Sequence, residues 1–206
     1  METSVHRVLC SGFVLLSMVL LAAERGQWFP LPEPRDDFAP SIADLSWRVE
    51  APAGKHGFLQ VRGDTFVFED GTPIRFWGAH LEPYIHAQPF PKDQFEFVAR
   101  RLRKLGFNVV RLGPRPLVWD PNGKTYFDYL PEGFDHLDFL IYTLGKHGIY
   151  VILTNEYPAV SIIKPADGIP GFERPGAAAR LQFFNAKVAG LRQKRILDIM
   201  THFNPY

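Results

Sequence analysis

Apolar residues recur at helical spacing between Asp93 and Leu105, where Phe95, Val98, Ala99, Leu102 and Leu105 share one face. Gly106 follows, a residue that tolerates the left-handed backbone just past a helix end. The next run, Phe107–Leu112, is short and mostly apolar with adjacent valines, which predicts a strand buried on both faces. It carries a cation, Arg111, at its end next to Leu112, and Gly113-Pro114 then dictates a loop. The same order returns downstream. Leu137, Leu140, Ile141 and Leu144 share a helix face, Gly148 stops that helix one residue after His147, and Ile149–Leu153 is a second buried strand with β-branched bias. A third helical stretch, Ala177–His202, carries Leu181, Phe184, Val188 and Leu191 in register.

Upstream the period changes to that of strands. Phe58–Arg62 and Thr65–Phe68 are strand-like and joined by Gly63-Asp64. Glu69-Asp70-Gly71-Thr72 is a second turn, since Asp-Gly favours the primed turns that match strand twist. Pro73–Gly78 reads as the third strand of a small antiparallel unit. Strands followed by alternating helices and strands imply an α/β fold, a parallel sheet with crossover helices. In such folds chemistry gathers where the strands end, which makes Arg111 the first candidate for a functional role.

The segment ahead of Phe58 has no sustained period. Residues 24–57 read as an extended lead-in rich in Pro, Asp and Ser, from which Trp28, Phe29 and Phe38 are placed to dock on the fold. Before it lies an apolar run, Val8–Ala23, preceded by His6 and Arg7 and followed by Glu24-Arg25. It falls short of the roughly 20 apolar residues that a membrane span needs, and reads as a signal peptide over residues 1–23, with an uncleaved anchor as the alternative. The expected location is secreted or periplasmic, with no membrane attachment after signal removal. The one cysteine, Cys10, falls inside that run, so the exported chain would rely on packing and not on disulfides.

Charge narrows the partners. The 206 residues carry Lys+Arg 23 against Asp+Glu 22, a formal net charge of +1, which gives no electrostatic case for nucleic acid. The basic stretch Arg100–Lys104 is interrupted by Leu102 at helical period and reads as the solvated face of its helix. The histidines are scattered, with no close His or Cys pair on a helix, and no glycine-rich phosphate loop precedes a helix. No metal and no cofactor are expected.

Three stretches, in order, carry a resemblance. Asp70-Gly71-Thr72-Pro73-Ile74-Arg75-Phe76-Trp77-Gly78-Ala79-His80-Leu81 is similar to the opening barrel strand of cellulase-like glycoside hydrolases, family five and its relatives. Leu105–Leu112 resembles their second strand, and Phe134–Asp138 with His147–Leu153 resembles their second helix and third strand. The resemblance covers roughly Phe58 to Tyr206. It implies a (β/α)8 TIM barrel that hydrolyses glycosidic bonds of a poly- or oligosaccharide with two glutamates and retention of configuration. Only the first three β/α units have a counterpart, preceded by the hairpin unit, so residues 58–206 are expected to form a partial barrel truncated before strand four. In the family the acid/base glutamate ends strand four and the nucleophile ends strand seven, and neither has a matching position here. A barrel of this type needs about 250 residues. The chain is therefore expected to be inactive alone, lacking the C-terminal half of the barrel as a partner. The alternative is a non-catalytic carbohydrate-binding remnant, or a half-barrel completed by a partner chain.

The resemblance also sorts individual residues. Arg111 corresponds to the family's active-site arginine beside the nucleophile, with a structural ion pair at the rim as the alternative. His80 stands where the family usually has asparagine, and with Glu82 it faces either the cleft or a loop. Asn155-Glu156 mimics the acid/base dipeptide but comes one strand early, so Glu156 is read as a cleft-lining or loop carboxylate. Among aromatic residues able to stack on a sugar, Trp119, Tyr84 and Tyr157 lie in loops, whereas Trp77 lies within a strand and is read as core. Trp119 is the preferred platform. Val110 and Ile152 are both read as inward residues that need an opposite barrel wall. Arg111, His80, Glu156 and Trp119 form the expected substrate-binding set.

Overall fold

The strand Val109–Leu112 is the middle of a three-stranded parallel sheet, flanked by Gly78–Leu81 on one side and Tyr150–Leu153 on the other. These coordinates come from a computed structural model, which describes residues 38–81, 91–113, 118–120, 122–154, 162–177 and 181–206. In chain order the strands are β1 (Leu59–Arg62), β2 (Thr65–Phe68), β3 (Pro73–Ile74), β4 (Gly78–Leu81), β5 (Val109–Leu112), β6 (Tyr150–Leu153), β7 (Ile162–Ile163) and β8 (Gly176–Ala177). The helices are α1 (Phe95–Lys104), α2 (Gly133–Lys146) and α3 (Ala186–Met200). α1 connects β4 to β5 and α2 connects β5 to β6, which gives two successive β-α-β units in a mixed α/β structure. The signal-like run and residues 24–37 of the lead-in, with Trp28 and Phe29, fall outside the described residues. Among the described residues no helix is long and apolar enough to cross a membrane.

Both crossover helices end by the same device. Gly106 sits at φ +78 and donates its N–H to Arg103, while the Phe107 N–H reaches back to Leu102. Gly148, at φ +82, donates to Gly145, and the Ile149 N–H reaches back to Leu144. These paired bonds are the Schellman arrangement, in which a left-handed glycine turns the chain and satisfies carbonyls at the helix end. Each turn delivers the chain directly into a strand of the sheet. The lead-in caps both turns from outside: Leu45 N–H bonds to the Lys104 carbonyl at 2.8 Å, and Ala53 N–H to the Gly145 carbonyl at 2.9 Å. Phe38, at the start of the described lead-in, does dock, with Arg100 over its ring at 3.9 Å and Phe97 edge-on at 5.5 Å.

Register fixes which side chains face the helices. Ala79, Val110 and Val151 align across the sheet, as do Leu81, Leu112 and Leu153. This face packs on Phe95, Ala99, Leu137, Leu140 and Leu144 of the helices and forms the main core. The other alignment, Gly78–Val109–Tyr150 and His80–Arg111–Ile152, faces away from it. The expectation for Val110 and Ile152 is thereby corrected. They lie on opposite faces: Val110 is fully buried under the helices at 0% exposure, while Ile152 stays 56% exposed.

Three further expectations change. Pro73–Gly78 is not one strand. Pro73 and Ile74 pair antiparallel with β2, and the chain then crosses to begin β4 in the parallel sheet. The crossing is held by Asn108, whose Oδ1 accepts from the Trp77 N–H at 2.7 Å and whose Nδ2 donates to the Arg75 carbonyl at 2.8 Å. Gly78 is needed at the start of β4, because a Cβ there would lie 2.6 Å from a methyl of Val109. Trp77 is not core: it is 66% exposed and stacks on Phe107, ring centroids 6.2 Å apart. The third helix begins at Ala186, where the Asn185 side chain accepts from the Lys187 and Val188 N–H groups as an N-cap. Phe184 therefore precedes the helix and is exposed, whereas Val188, Leu181 and Leu191 join a second cluster with Tyr126, Ile163 and Ile169.

Candidate functional site

The open face of the parallel sheet runs from an aromatic floor to a polar rim. At the N-terminal end of the strands Tyr150 is sandwiched by the hairpin, with Phe68 stacked at 5.6 Å and Phe76 edge-on at 5.7 Å. Beside it Val109 is buried next to Gly78. One residue before the C-terminal end of each strand, His80, Arg111 and Ile152 are direct neighbours across the sheet. The sequence places Arg111 at and His80 just past a strand end; in the structure both lie within their strands, and the register brings them side by side on one face. His80 is exposed and Arg111 is half-buried. The ladder continues past β6, where the Thr154 N–H bonds to the Leu112 carbonyl at 2.9 Å. Fixed in this way, the Thr154 hydroxyl accepts from Arg111 Nε at 2.7 Å. That bond sets the plane of the guanidinium, whose fork is suited to a carboxylate or to sugar hydroxyls.

The other expected members divide. Glu156, with Asn155, Tyr157, Glu82 and Tyr84, lies outside the described residues. Trp119 is described, and its platform role is corrected. It is 6% exposed, bridges to Tyr129, and carries the Arg195 guanidinium over its ring at 4.3 Å. An indole covered in this way offers no face to a sugar. Arg195, which nothing in the sequence pattern singled out, is itself buried, lying 3.3 Å from the Tyr126 ring centroid and donating to the Tyr126 carbonyl.

The acidic residues in the family-like stretch Phe134–Asp138 have structural partners. Asp138 is buried and bonds His202 Nε2 at 2.6 Å, with the imidazole stacked on Phe134 at 4.3 Å. Asp135 pairs with Lys92 and accepts from the Tyr206 hydroxyl at 2.6 Å. Both contacts hold its carboxyl below the ordinary range, the Lys92 ammonium contributing most. Tyr129 donates to Asp198, and its phenol is pushed well above the ordinary range, first by burial and then by that carboxylate.

A second polar group, made from the lead-in and the Asp70-Gly71 turn of the hairpin unit, sits at the opposite end of the strands. His56 Nε2 lies 2.9 Å from Glu50 and Nδ1 2.5 Å from Asp70. Lys55 also pairs with Glu50. The Glu50 and Asp70 contacts raise the imidazole above its usual range. Asp70 is lowered to about 2, first by the Thr72 backbone N–H and then by His56. Only the Asp70-Gly71 turn signalled this place in the sequence, because the approach of residues 50–56 is a tertiary contact. No group of three or more His, Cys, Asp or Glu that could hold a metal ion occurs among the described residues.

No family model matches the chain, and no curated protein does. Among solved structures, one described as a glycoside hydrolase is similar over 58% of this chain, at 20% identity and a TM-score of 0.42. A glycoside hydrolase family 5 protein from Bacteroides vulgatus ATCC 8482 is similar over the same 58%, at 20% identity and a TM-score of 0.41. The chain spans 28% of the length of each of these proteins.

Proposed function

We propose that this chain is the first part of a glycosidase-type barrel and that the open face of its parallel sheet contributes the sugar-binding side of the active site. The observation that carries the reading is the row His80–Arg111–Ile152, in register at the strand ends, with Arg111 oriented by Thr154. A guanidinium and an imidazole side by side supply hydrogen-bond donors to ring hydroxyls, and the guanidinium can hold a catalytic carboxylate in its ionised form. Retaining hydrolysis needs two carboxyl groups about 5–5.5 Å apart, one to protonate the leaving oxygen and one to attack the anomeric carbon. The sequence resemblance assigns those two groups to later strands. On this reading the chain binds sugar and positions a carboxylate, and hydrolysis waits on the rest of the barrel.

The test is calorimetric titration of the full chain with cello- and manno-oligosaccharides, together with an assay on β-linked glucans and mannans. Saturable binding that weakens at least about tenfold in R111M is expected, equal to the loss of one charge-assisted hydrogen bond. Turnover at an enzyme-like rate is not expected, since accelerations start near 10⁶-fold and one positioned acid or base gives about 10²–10⁴. Binding that R111M leaves untouched would overturn the assignment of the rim. Clear turnover lost in E156Q would promote Glu156 to the acid and overturn the division of labour.

A further inference from the structure

The second polar group walls an open cleft of about 180 Å³, bordered by the segment from Arg48 to His56, the hairpin unit and the N-terminal edge of the parallel sheet. Its lining includes Arg48, Glu50, Lys55, His56, Arg75 and Tyr150. The charges do not balance. Lys55 and His56 are matched by Glu50 and Asp70, in contacts that leave both nitrogens of the imidazole committed to carboxylates. Arg48 and Arg75 remain. Among the described residues neither guanidinium is in an ion pair; Arg48 lies 5.8 Å from the Trp47 ring, and Arg75 is fixed through its backbone carbonyl by Asn108. Tyr150 adds a directional group. Its hydroxyl oxygen accepts the Gly54 N–H at 3.0 Å, which leaves the phenolic proton to be donated. Phe68, Ile74 and Pro52 add apolar surface to the lining.

We propose that this cleft is a binding site for a small oxyanion, a phosphate, sulfate or carboxylate group, held by Arg48, Arg75 and the Tyr150 hydroxyl. Two uncompensated guanidinium groups and a phenol are donors only in this arrangement, and a guanidinium fork matches the geometry of these anions. A cleft of this size has room for a tetrahedral anion or the carboxylate end of a sugar acid. Glu50 and Asp70 do not oppose the ligand, because His56 and Lys55 already occupy them. The site lies at the end of the strands away from His80 and Arg111, so its occupancy is independent of the sugar-binding rim.

The experiment titrates the full chain with sodium phosphate, sodium sulfate or sodium glucuronate at constant ionic strength, balanced with sodium chloride, and follows backbone amides by NMR. Saturable shifts at Gly54, Arg75 and Tyr150 are expected for at least one of the three, and the order of affinities separates an inorganic anion from a sugar acid. R48Q and R75Q should each weaken binding at least about tenfold, and R62Q, a charge removed outside the cleft, should leave it unchanged. Thermal melting of each variant reports folding; Arg48 and Arg75 are exposed and in no ion pair, so the variants should melt with wild-type cooperativity. Shifts that follow ionic strength alone, or equal affinity in R48Q and R75Q, would overturn the site.

Discussion

Truncating Val110 and Ile152 to alanine measures which face of the parallel sheet is closed. Both residues belong to short central-sheet strands, and both would be buried if the sheet were covered on two sides. In this structure Val110 is 0% exposed beneath α1 and α2, and Ile152 is 56% exposed on the open face. Val110→Ala removes two methyl groups, worth about 1.6 kcal/mol at about 0.8 kcal/mol each. The cavity left in a packed helix–sheet interface raises the cost to about 2–3 kcal/mol. Ile152→Ala removes three carbons, but with less than half of the side chain withdrawn from water the loss is about 1 kcal/mol and leaves no enclosed cavity. The smaller truncation should therefore cost about twice the larger one. Equilibrium urea unfolding gives both values from midpoint shifts, provided that the denaturant slope stays constant between variants. An Ile152→Ala cost equal to or above that of Val110→Ala would refute the open face and require a wall over His80 and Arg111.

Two further outcomes follow from particular contacts. Gly148→Ala should destabilise by well over 1 kcal/mol, since φ is +82 and a Cβ would overlap the Glu50 carbonyl oxygen. Gly145→Ala, three residues earlier in α2 with open space around it, should stabilise by about 0.5–1 kcal/mol; thermal melting of the pair checks both signs. The His56 group makes stability depend on pH from both sides. His56 is raised in the folded state, so its contribution is complete below about pH 6.5 and fades as pH rises through the folded value. Glu50 is lowered, chiefly by Lys55, and Asp70 is lowered to about 2, so their contributions are complete above about pH 4–4.5 and fade on acidification. The melting temperature of wild type relative to H56N should peak between about pH 4.5 and 6.5, and a flat difference across pH 4–8 would contradict the contacts.

The crossover units were legible because their signals are local. A 3.6-residue period, a glycine at the left-handed position and a run of β-branched residues occur within about 20 positions, and the two helix–glycine–strand passages at Gly106 and Gly148 were readable for that reason. What needed a distant partner was missed. Nothing near Pro73 announces that Asn108 will take the Trp77 N–H and Arg75 carbonyl and divide the expected strand. The opposite facing of Val110 and Ile152 depends on strand register, which the apolar runs do not encode when both faces read as hydrophobic. Trp119 in a loop had the composition of a sugar platform, yet Arg195, far along the chain, covers it. His80 and Arg111 are neighbours because each lies one residue before its strand's end and the parallel strands pair without offset. The anion cleft had only the Asp70-Gly71 turn as a local sign, since its basic residues come from separate segments.

The lead-in that caps both helix ends has a consequence for the order in which the molecule opens. Each β-α-β unit closes on itself over a short span, whereas the bond from Gly54 to the Tyr150 hydroxyl joins residues 96 apart. The Ala53 bond to Gly145 is comparably remote. Closing such loops costs entropy that grows with their length, by about 0.6 kcal/mol per doubling, and the described part of this segment repays it with hydrogen bonds, the exposed His56 ion pairs and the buried side chain of Val49. The strap is therefore expected to open before the parallel sheet does, an order that hydrogen exchange at the Leu45, Ala53 and Gly54 amides would report. Its release would free the carbonyl ends of α1 and α2 together while leaving the parallel sheet paired. Local opening here is a unit of cooperativity distinct from global unfolding, and the cleft that we assign to an oxyanion lies along its seam.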